Sequence, residues 1–164
     1  MISQDIFHKK ILEVAECLQS KKLTIGTAES CTGGRLAEVL SSRPGSSVWF
    51  KSGFVTYSNE SKQELLGVPS MHFYPDGPGA VSEEVVKAMA AGTIAACKTN
   101  IAIAISGIAG PEGGTTEKPA GTVWIAWQWE NRVQTRRFLF AGDRSRVRLA
   151  AVEAALSGIL EFIC

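Results

Sequence analysis

Hydroxyl and thiol side chains crowd the stretch Thr27-Ala28-Glu29-Ser30-Cys31-Thr32-Gly33-Gly34-Arg35. An apolar run over residues 23–28 precedes it and reads as a strand. Leu36, Val39 and Leu40 follow at the spacing of one helix face, which predicts a helix over about 31–41. A strand therefore turns sharply into a helix at Ser30. Helix amino ends carry unpaired N–H groups and partial positive charge, so an anion formed there is stabilised. A nucleophile at this turn, Ser30 or its neighbour Cys31, would have oxyanion donors close by. The alternative is architectural: Ser30 or Thr32 caps the helix while Gly33 and Gly34 shape the turn.

A serine nucleophile needs a base, and histidine is scarce. His8 sits in a helical pattern and His72 in a loop, which argues against a Ser-His-Asp triad. A lysine serves once burial or a neighbouring cation lowers its pKa from about 10.4. Lys62 lies five residues beyond Tyr57, on the helix leaving the second strand, at the same edge of the sheet as Ser30. A solvated surface lysine is the competing reading. The third grouping is the run from Ser106-Gly107-Ile108-Ala109-Gly110-Pro111 to Gly121, the longest stretch without periodicity. Long ordered loops in compact domains are usually functional, and glycines let backbone N–H groups approach a phosphate or carboxylate. The loop has neither a Gly-Lys-Ser/Thr ending nor Gly-x-Gly-x-x-Gly, so nucleoside-triphosphatase and dinucleotide folds are not supported.

The elements that must position these groups follow from periodicity. A helix is expected over 4–21, and a second strand within 48–58 with Phe54 to Tyr57 its clearest part. Ser58 or Asn59 caps a short helix through Leu66, and 70–80 reads as loop. Ser82 caps a long helix with Glu83 and Glu84 in its first turn. Residues 101–105 resemble a buried central strand. Residues 123–130 and 132–140 form a hairpin about Glu130-Asn131, and a last helix spans about 143–163. Alternating helices and strands closed by a hairpin predict a three-layer α/β/α sandwich with a mixed, mostly parallel five-stranded sheet. Its first three strands are parallel, and sites gather at the carboxyl ends of such strands. Ser30, Tyr57 and Ser106 are expected just there.

The chain has 164 residues, 45% hydrophobic and 20% charged, which suits one globular domain over 1–164. Net charge is +1, and the densest basic cluster is Arg144, Arg146 and Arg148, too small to argue for nucleic acid. No apolar stretch reaches the roughly 18 residues of a membrane helix, and no signal peptide opens the chain. Cys17, Cys31, Cys97 and Cys164 are widely spaced, with no Cys-x-x-Cys, and only two histidines are present, so no metal site is expected. Scattered cysteines without a disulfide framework suit a reducing, cytoplasmic compartment.

Ordered motifs run from residue 27 to 144. Ala28-Glu29-Ser30-Cys31-Thr32-Gly33-Gly34 comes first, then Tyr57-Ser58-Asn59 with Lys62. Gly79-Ala80-Val81-Ser82-Glu83, Ser106-Gly107-Ile108-Ala109-Gly110-Pro111, Lys118-Pro119-Ala120-Gly121-Thr122-Val123 and Gly142-Asp143-Arg144 complete them. Together they resemble the CinA C-terminal domain family, which includes stand-alone bacterial nicotinamide-mononucleotide amidohydrolases. The resemblance implies hydrolysis of the carboxamide of nicotinamide mononucleotide to nicotinic acid mononucleotide and ammonia, feeding NAD recycling, without cofactor or metal. It implies a small-molecule nucleotide substrate and leaves a homo-oligomer open. It places the nucleophile at Ser30 and further catalytic roles at Lys62 and Tyr57. Substrate binding falls to Cys31, Thr32, Gly33, Ser106, Gly107, Gly110 and Arg144. Two departures stand out: Ser52-Gly53 replaces two glycines, and Glu112 adds a negative charge to the glycine-rich loop.

Overall fold

Isoleucine and alanine alternate along Ile101-Ala102-Ile103-Ala104-Ile105, and successive side chains of a strand point to opposite faces. The three isoleucines enter one apolar cluster and the two alanines another. Each buried isoleucine contributes about 1.5–3 kcal/mol of burial free energy, so the bulky face anchors the larger layer. The alanine face stays shallow and admits a helix closely.

The computed structural model describes the backbone of residues 2–164 and the side chains of residues 7–164. Helix α1 (Ile2–Ser20) leads to strand β1 (Ile25–Glu29), helix α2 (Arg35–Ser41), strand β2 (Phe50–Val55) and helix α3 (Asn59–Leu66). Helix α4 (Glu83–Cys97), strands β3 (Ile101–Gly107), β4 (Thr122–Trp129) and β5 (Arg132–Leu139), and helix α5 (Arg144–Phe162) complete the chain. The sheet order is β2-β1-β3-β4-β5, with β1 parallel to both β2 and β3, and antiparallel pairing from β3 through β5. Residues of α1, α2 and α5 pack with Ile25, the three isoleucines, Ile125 and Trp127. Leu66 of α3 and Val85, Val86, Met89 and Ala90 of α4 pack on the other face against Ala28, Ala102, Ala104 and Ala126. The three-layer sandwich and its mixed sheet are as the sequence predicts.

Local chemistry sets the helix starts. Ser58 caps α3 in a reciprocal capping box with Ser61, Ser82 accepts from the Val85 amide at α4, and Asp143 accepts from the Arg146 amide at α5. Several details differ from expectation. Helix α2 begins at Arg35 rather than Cys31, because Gly33 and Gly34 take φ of +59° and +93°, which a right-handed helix cannot include. Strand β2 stops at Val55, so Tyr57 lies beyond its end, and a short 3₁₀ turn, Ser70–Phe73, interrupts the 70–80 loop. Ser106 lies inside β3, opposite Trp124, instead of after the strand.

The cysteines also differ from expectation. Cys17 and Cys164 form a disulfide across a sequence separation of 147, with Cα atoms 5.9 Å apart, while Cys31 and Cys97 are free. The packing of α1 against α5 brings together two positions whose spacing carries no pairing signal. Among the described residues no helix is long and apolar enough to cross a membrane, and no group of three or more His, Cys, Asp or Glu could hold a metal.

Candidate active site

The alternation that sorts β1 also decides where its last residues point. Ile25 belongs to the α1/α5 face and Ala28 to the α4 face. Glu29 therefore turns toward α2, and Ser30, one residue further, toward α3. The consequence for Glu29 is specific. Its wholly buried carboxylate accepts from the Leu36 amide at 3.0 Å and the Ala37 amide at 2.8 Å, at the start of α2. The helix end expected to stabilise an oxyanion is thus already occupied by a side chain of the protein. Neither Ser30 nor Thr32 caps α2: its N-cap is Gly34, without a side-chain bond.

Ser30 sits in the turn between β1 and α2. Its own amide donates to the Ile105 carbonyl at 3.0 Å, extending the β1–β3 pairing, and its carbonyl accepts from the Gly33 amide at 3.0 Å. The amides of Cys31 and Thr32 donate to no backbone carbonyl among the described residues. Facing Ser30 is Lys62 of α3. Its Nζ lies 3.1 Å from Ser30 Oγ and donates to the Thr56 carbonyl at 2.8 Å. The side chain is 1% exposed, which rejects the solvated-surface reading. Burial lowers its pKa from 10.5 to about 8, partly opposed by Cys31 and Glu60. A deprotonated fraction is therefore present near neutral pH, and in that form the amine can accept the Ser30 proton.

Cys31 takes the other direction. It is 5% exposed and packed in the core, and burial pushes its thiol from 9.0 up to about 12, with the Glu29 carboxylate adding to the rise. A thiol held in that form is a poor nucleophile. The expected lowering at a helix amino end does not operate, because the first turn of α2 begins four residues later and its leading amides face Glu29.

The Ser30–Lys62 pair opens into a cavity of about 290 Å³. Tyr57, Ala80, Ser106, Gly107, Gly110 and Arg144 contribute to its walls. Arg144 spans the mouth: one guanidinium nitrogen donates to the Gly110 carbonyl at 2.9 Å and the other to Tyr57 Oη at 2.8 Å. Ser106 is 1% exposed and spends its hydroxyl on the Ala80 carbonyl at 2.7 Å, so it fastens β3 to the loop before α4. A side chain at Gly107 would meet Val123 Cγ2 at 2.7 Å and Cys31 Sγ at 3.1 Å, so glycine is needed there for packing.

Of the residues singled out from sequence, Ser30, Cys31, Tyr57, Lys62, Ser106, Gly107, Gly110 and Arg144 share this cavity. Thr32 and Gly33 do not line it: Thr32 is fully buried, and Gly33 packs beside Arg148. Sequence reasoning missed four contributors. Glu29 fixes the nucleophile turn to α2, and the Thr56 carbonyl holds the lysine. Arg148 donates to the Thr32 carbonyl at 3.0 Å, and Lys118 ties the glycine-rich loop to the Pro78 carbonyl. The motif position of Glu29 and the helical spacing of Arg148 after Arg144 were visible; the partners, which lie far along the chain, were not. A larger cleft of about 480 Å³ between α1, α2 and α5 gathers His8, Arg35, Glu38 and Ser42, whose hydroxyl donates to the Val39 carbonyl at 2.7 Å.

Fold and site together define an α/β/α protein with a paired serine and lysine at the carboxyl end of its parallel strands and an arginine across the mouth. The chain belongs to the CinA C-terminal domain family, whose model matches residues 8–163. It is 50% identical over 148 residues to the nicotinamide-nucleotide amidohydrolase PncC of Pseudomonas putida, covering 90% of this chain and 91% of that one. Identity to PncC of Escherichia coli K12 is 48% over 145 residues, covering 88% and 87%. Among solved structures, the competence damage-inducible protein A of Klebsiella pneumoniae subsp. pneumoniae MGH 78578 superposes with a TM-score of 0.91 at 41% identity, covering 95% of this chain and 96% of that one. The CinA superfamily protein of Klebsiella pneumoniae 700603 gives 0.89 at 40% identity, covering 94% and 95%.

Proposed function

We propose that this protein, acting as a single catalytic domain over 1–164, hydrolyses the carboxamide of nicotinamide mononucleotide to nicotinic acid mononucleotide and ammonia. The observation that carries the reading is the buried contact of 3.1 Å between Ser30 Oγ and a Lys62 amine whose pKa falls to about 8. The names of relatives about half identical to the chain support the substrate.

Neutral Lys62 takes the hydroxyl proton as Ser30 Oγ bonds to the amide carbon. The carbonyl electron pair moves onto oxygen, where the amide of Cys31, on the cavity lining and bonded to no backbone carbonyl among the described residues, is the nearest donor along the chain. The C–N bond breaks as protonated Lys62 returns the proton to the departing nitrogen, so ammonia leaves and an ester to Ser30 remains. Water, deprotonated by the same amine, cleaves that ester and restores the hydroxyl. Arg144 offers a guanidinium to the substrate phosphate. Tyr57 acts through Arg144, whose position its hydroxyl fixes.

The rival reading, a nucleotide-sensing module without turnover, leaves the lowered lysine pKa without a purpose. Amidase action on a different small amide is the second rival. Steady-state ammonia release from nicotinamide mononucleotide, nicotinamide, NAD and a panel of small amides separates all three. Turnover of the mononucleotide, with nicotinamide at least about a hundredfold poorer for want of its phosphate contacts, is expected. Silence on every substrate would leave the sensing module standing.

A further inference from the structure

Three charged side chains line the active-site cavity, and they are not of one sign. Lys62 and Arg144 are cations, and each is held by protein oxygens. Glu112 is the only anionic side chain on the lining. It stands on the exposed rim loop beside Gly110 and Gly113, and among the described residues it makes no ion pair and no side-chain hydrogen bond. It caps no helix, since the capping roles nearby belong to Ser82 and Asp143. A carboxylate with no structural partner, set in a cavity that must admit a phosphate, works against that phosphate by like-charge repulsion. The arrangement makes sense when the ligand brings a positive charge of its own. The ligand under Proposed function does: the ring nitrogen that bears the ribose is quaternary, so the pyridine is a permanent cation between a neutral carboxamide and an anionic phosphate.

We propose that Glu112 is a specificity-determining residue whose carboxylate faces the pyridinium ring and selects N-ribosylated, cationic nicotinamide over ligands with a neutral ring. This rests on the mononucleotide reading above and extends it from the reacting amide to the ring's charge. On this reading Lys62 serves the carboxamide, Glu112 the ring and Arg144 the phosphate, all three being on the lining of one cavity. Free nicotinamide, neutral and without phosphate, loses both outer contacts. A carboxylate can instead accept from the two ribose hydroxyls, as acidic residues do in dinucleotide sites, and that role is blind to ring charge.

The test compares nicotinamide mononucleotide with its 1,4-dihydro form, which keeps carboxamide, ribose and phosphate but has a neutral ring. Calorimetric dissociation constants are measured at low ionic strength on the full chain carrying Ser30→Ala, to keep the amide intact, with and without Glu112→Gln. Glu112→Gln is expected to weaken the cationic ligand by about three- to fivefold, the upper end for one solvent-exposed ion pair. The neutral ligand should change less than about twofold, and Glu112→Asp should restore part of the preference. Equal weakening of both ligands overturns the proposal in favour of ribose contact or loop support. No change in either overturns it in favour of a solvated rim charge. Ammonia release by the unaltered protein is scored separately: its absence removes the amidase reading, while the ratio of dissociation constants still decides the role of Glu112. Binding of neither mononucleotide overturns both.

Discussion

The base role proposed for Lys62 depends on the fold withholding water from it. An exposed ammonium would stay charged near neutrality; 1% exposure brings its pKa to about 8, while the Thr56 carbonyl keeps the amine aimed at Ser30. Since the reactive form is the deprotonated one, kcat/KM should rise with pH and level off above about 8. Lys62→Arg keeps a cation that does not lose its proton in proteins. It is expected to bind the mononucleotide and lose about a hundredfold or more in kcat; an arginine variant retaining most of kcat would make Lys62 a fixed charge only. Stability has its own sign. The unfolded lysine binds more protons than the folded one between pH 8 and 10.5, so this group's contribution improves as pH rises through that window. Cys31 differs from Ser30 by one position and borders the same cavity, but it is buried with its thiol held near 12. Ser30→Ala should abolish ammonia release, whereas Cys31→Ala should retain turnover with a modest loss of core stability. The reverse pattern in the same rate assay would make the thiol the nucleophile.

Helix α3 is the element on which this geometry depends. Eight residues long and closed at its start by the Ser58–Ser61 box, it holds Lys62 in its first turn. Its far end approaches α4 so closely that a side chain at Gly92 would run into the Leu66 carbonyl oxygen. Gly92→Ala is therefore expected to push α3 outward, costing about 1–3 kcal/mol in urea denaturation and lowering kcat through the Ser30–Lys62 separation. Unchanged stability and rate would show that α3 yields without moving its lysine. The caps at Ser58, read as Ser58 or Asn59, and at Ser82 were legible in the sequence because each bonds a backbone amide only three residues ahead. So were the alternation of β3 and the gathering of Ser30 and Tyr57 at one edge of the sheet. The amino end of α2 was not. Its occupant, Glu29, looks from sequence like one more polar residue before a serine, and its acceptance of two amides depends on which face of β1 it takes. The burial of Lys62 was one of two readings the sequence left open: a lysine in an amphipathic octapeptide also reads as surface until β1 is laid beside it.

At the scale of the whole molecule, the sheet order seats β1 between β2 and β3, so the nucleophile leaves from an inner strand and its partners from both neighbours. The Cys17–Cys164 bridge lies at the other end of the sheet, where α1 hands over to β1 and α5 finishes. It joins the two outermost helices of the chain, which no local pattern could announce. The oxidised protein is expected to unfold with about 2–4 kcal/mol more free energy than the reduced protein or Cys17→Ser, with ammonia release within about twofold. Identical denaturation curves would mean that the bridge adds nothing to the packing of α1 on α5. The Lys62 tether has a different reach. The base is fastened to the end of β2 and the nucleophile to β3, both parts of the sheet, whereas Tyr57, Gly110, Glu112 and Arg144 stand on loops and at a helix start around the mouth. Reactivity and recognition are thus separately adjustable. A lineage, or a designer, could retool the rim for another amide without having to rediscover the catalytic pair beneath it.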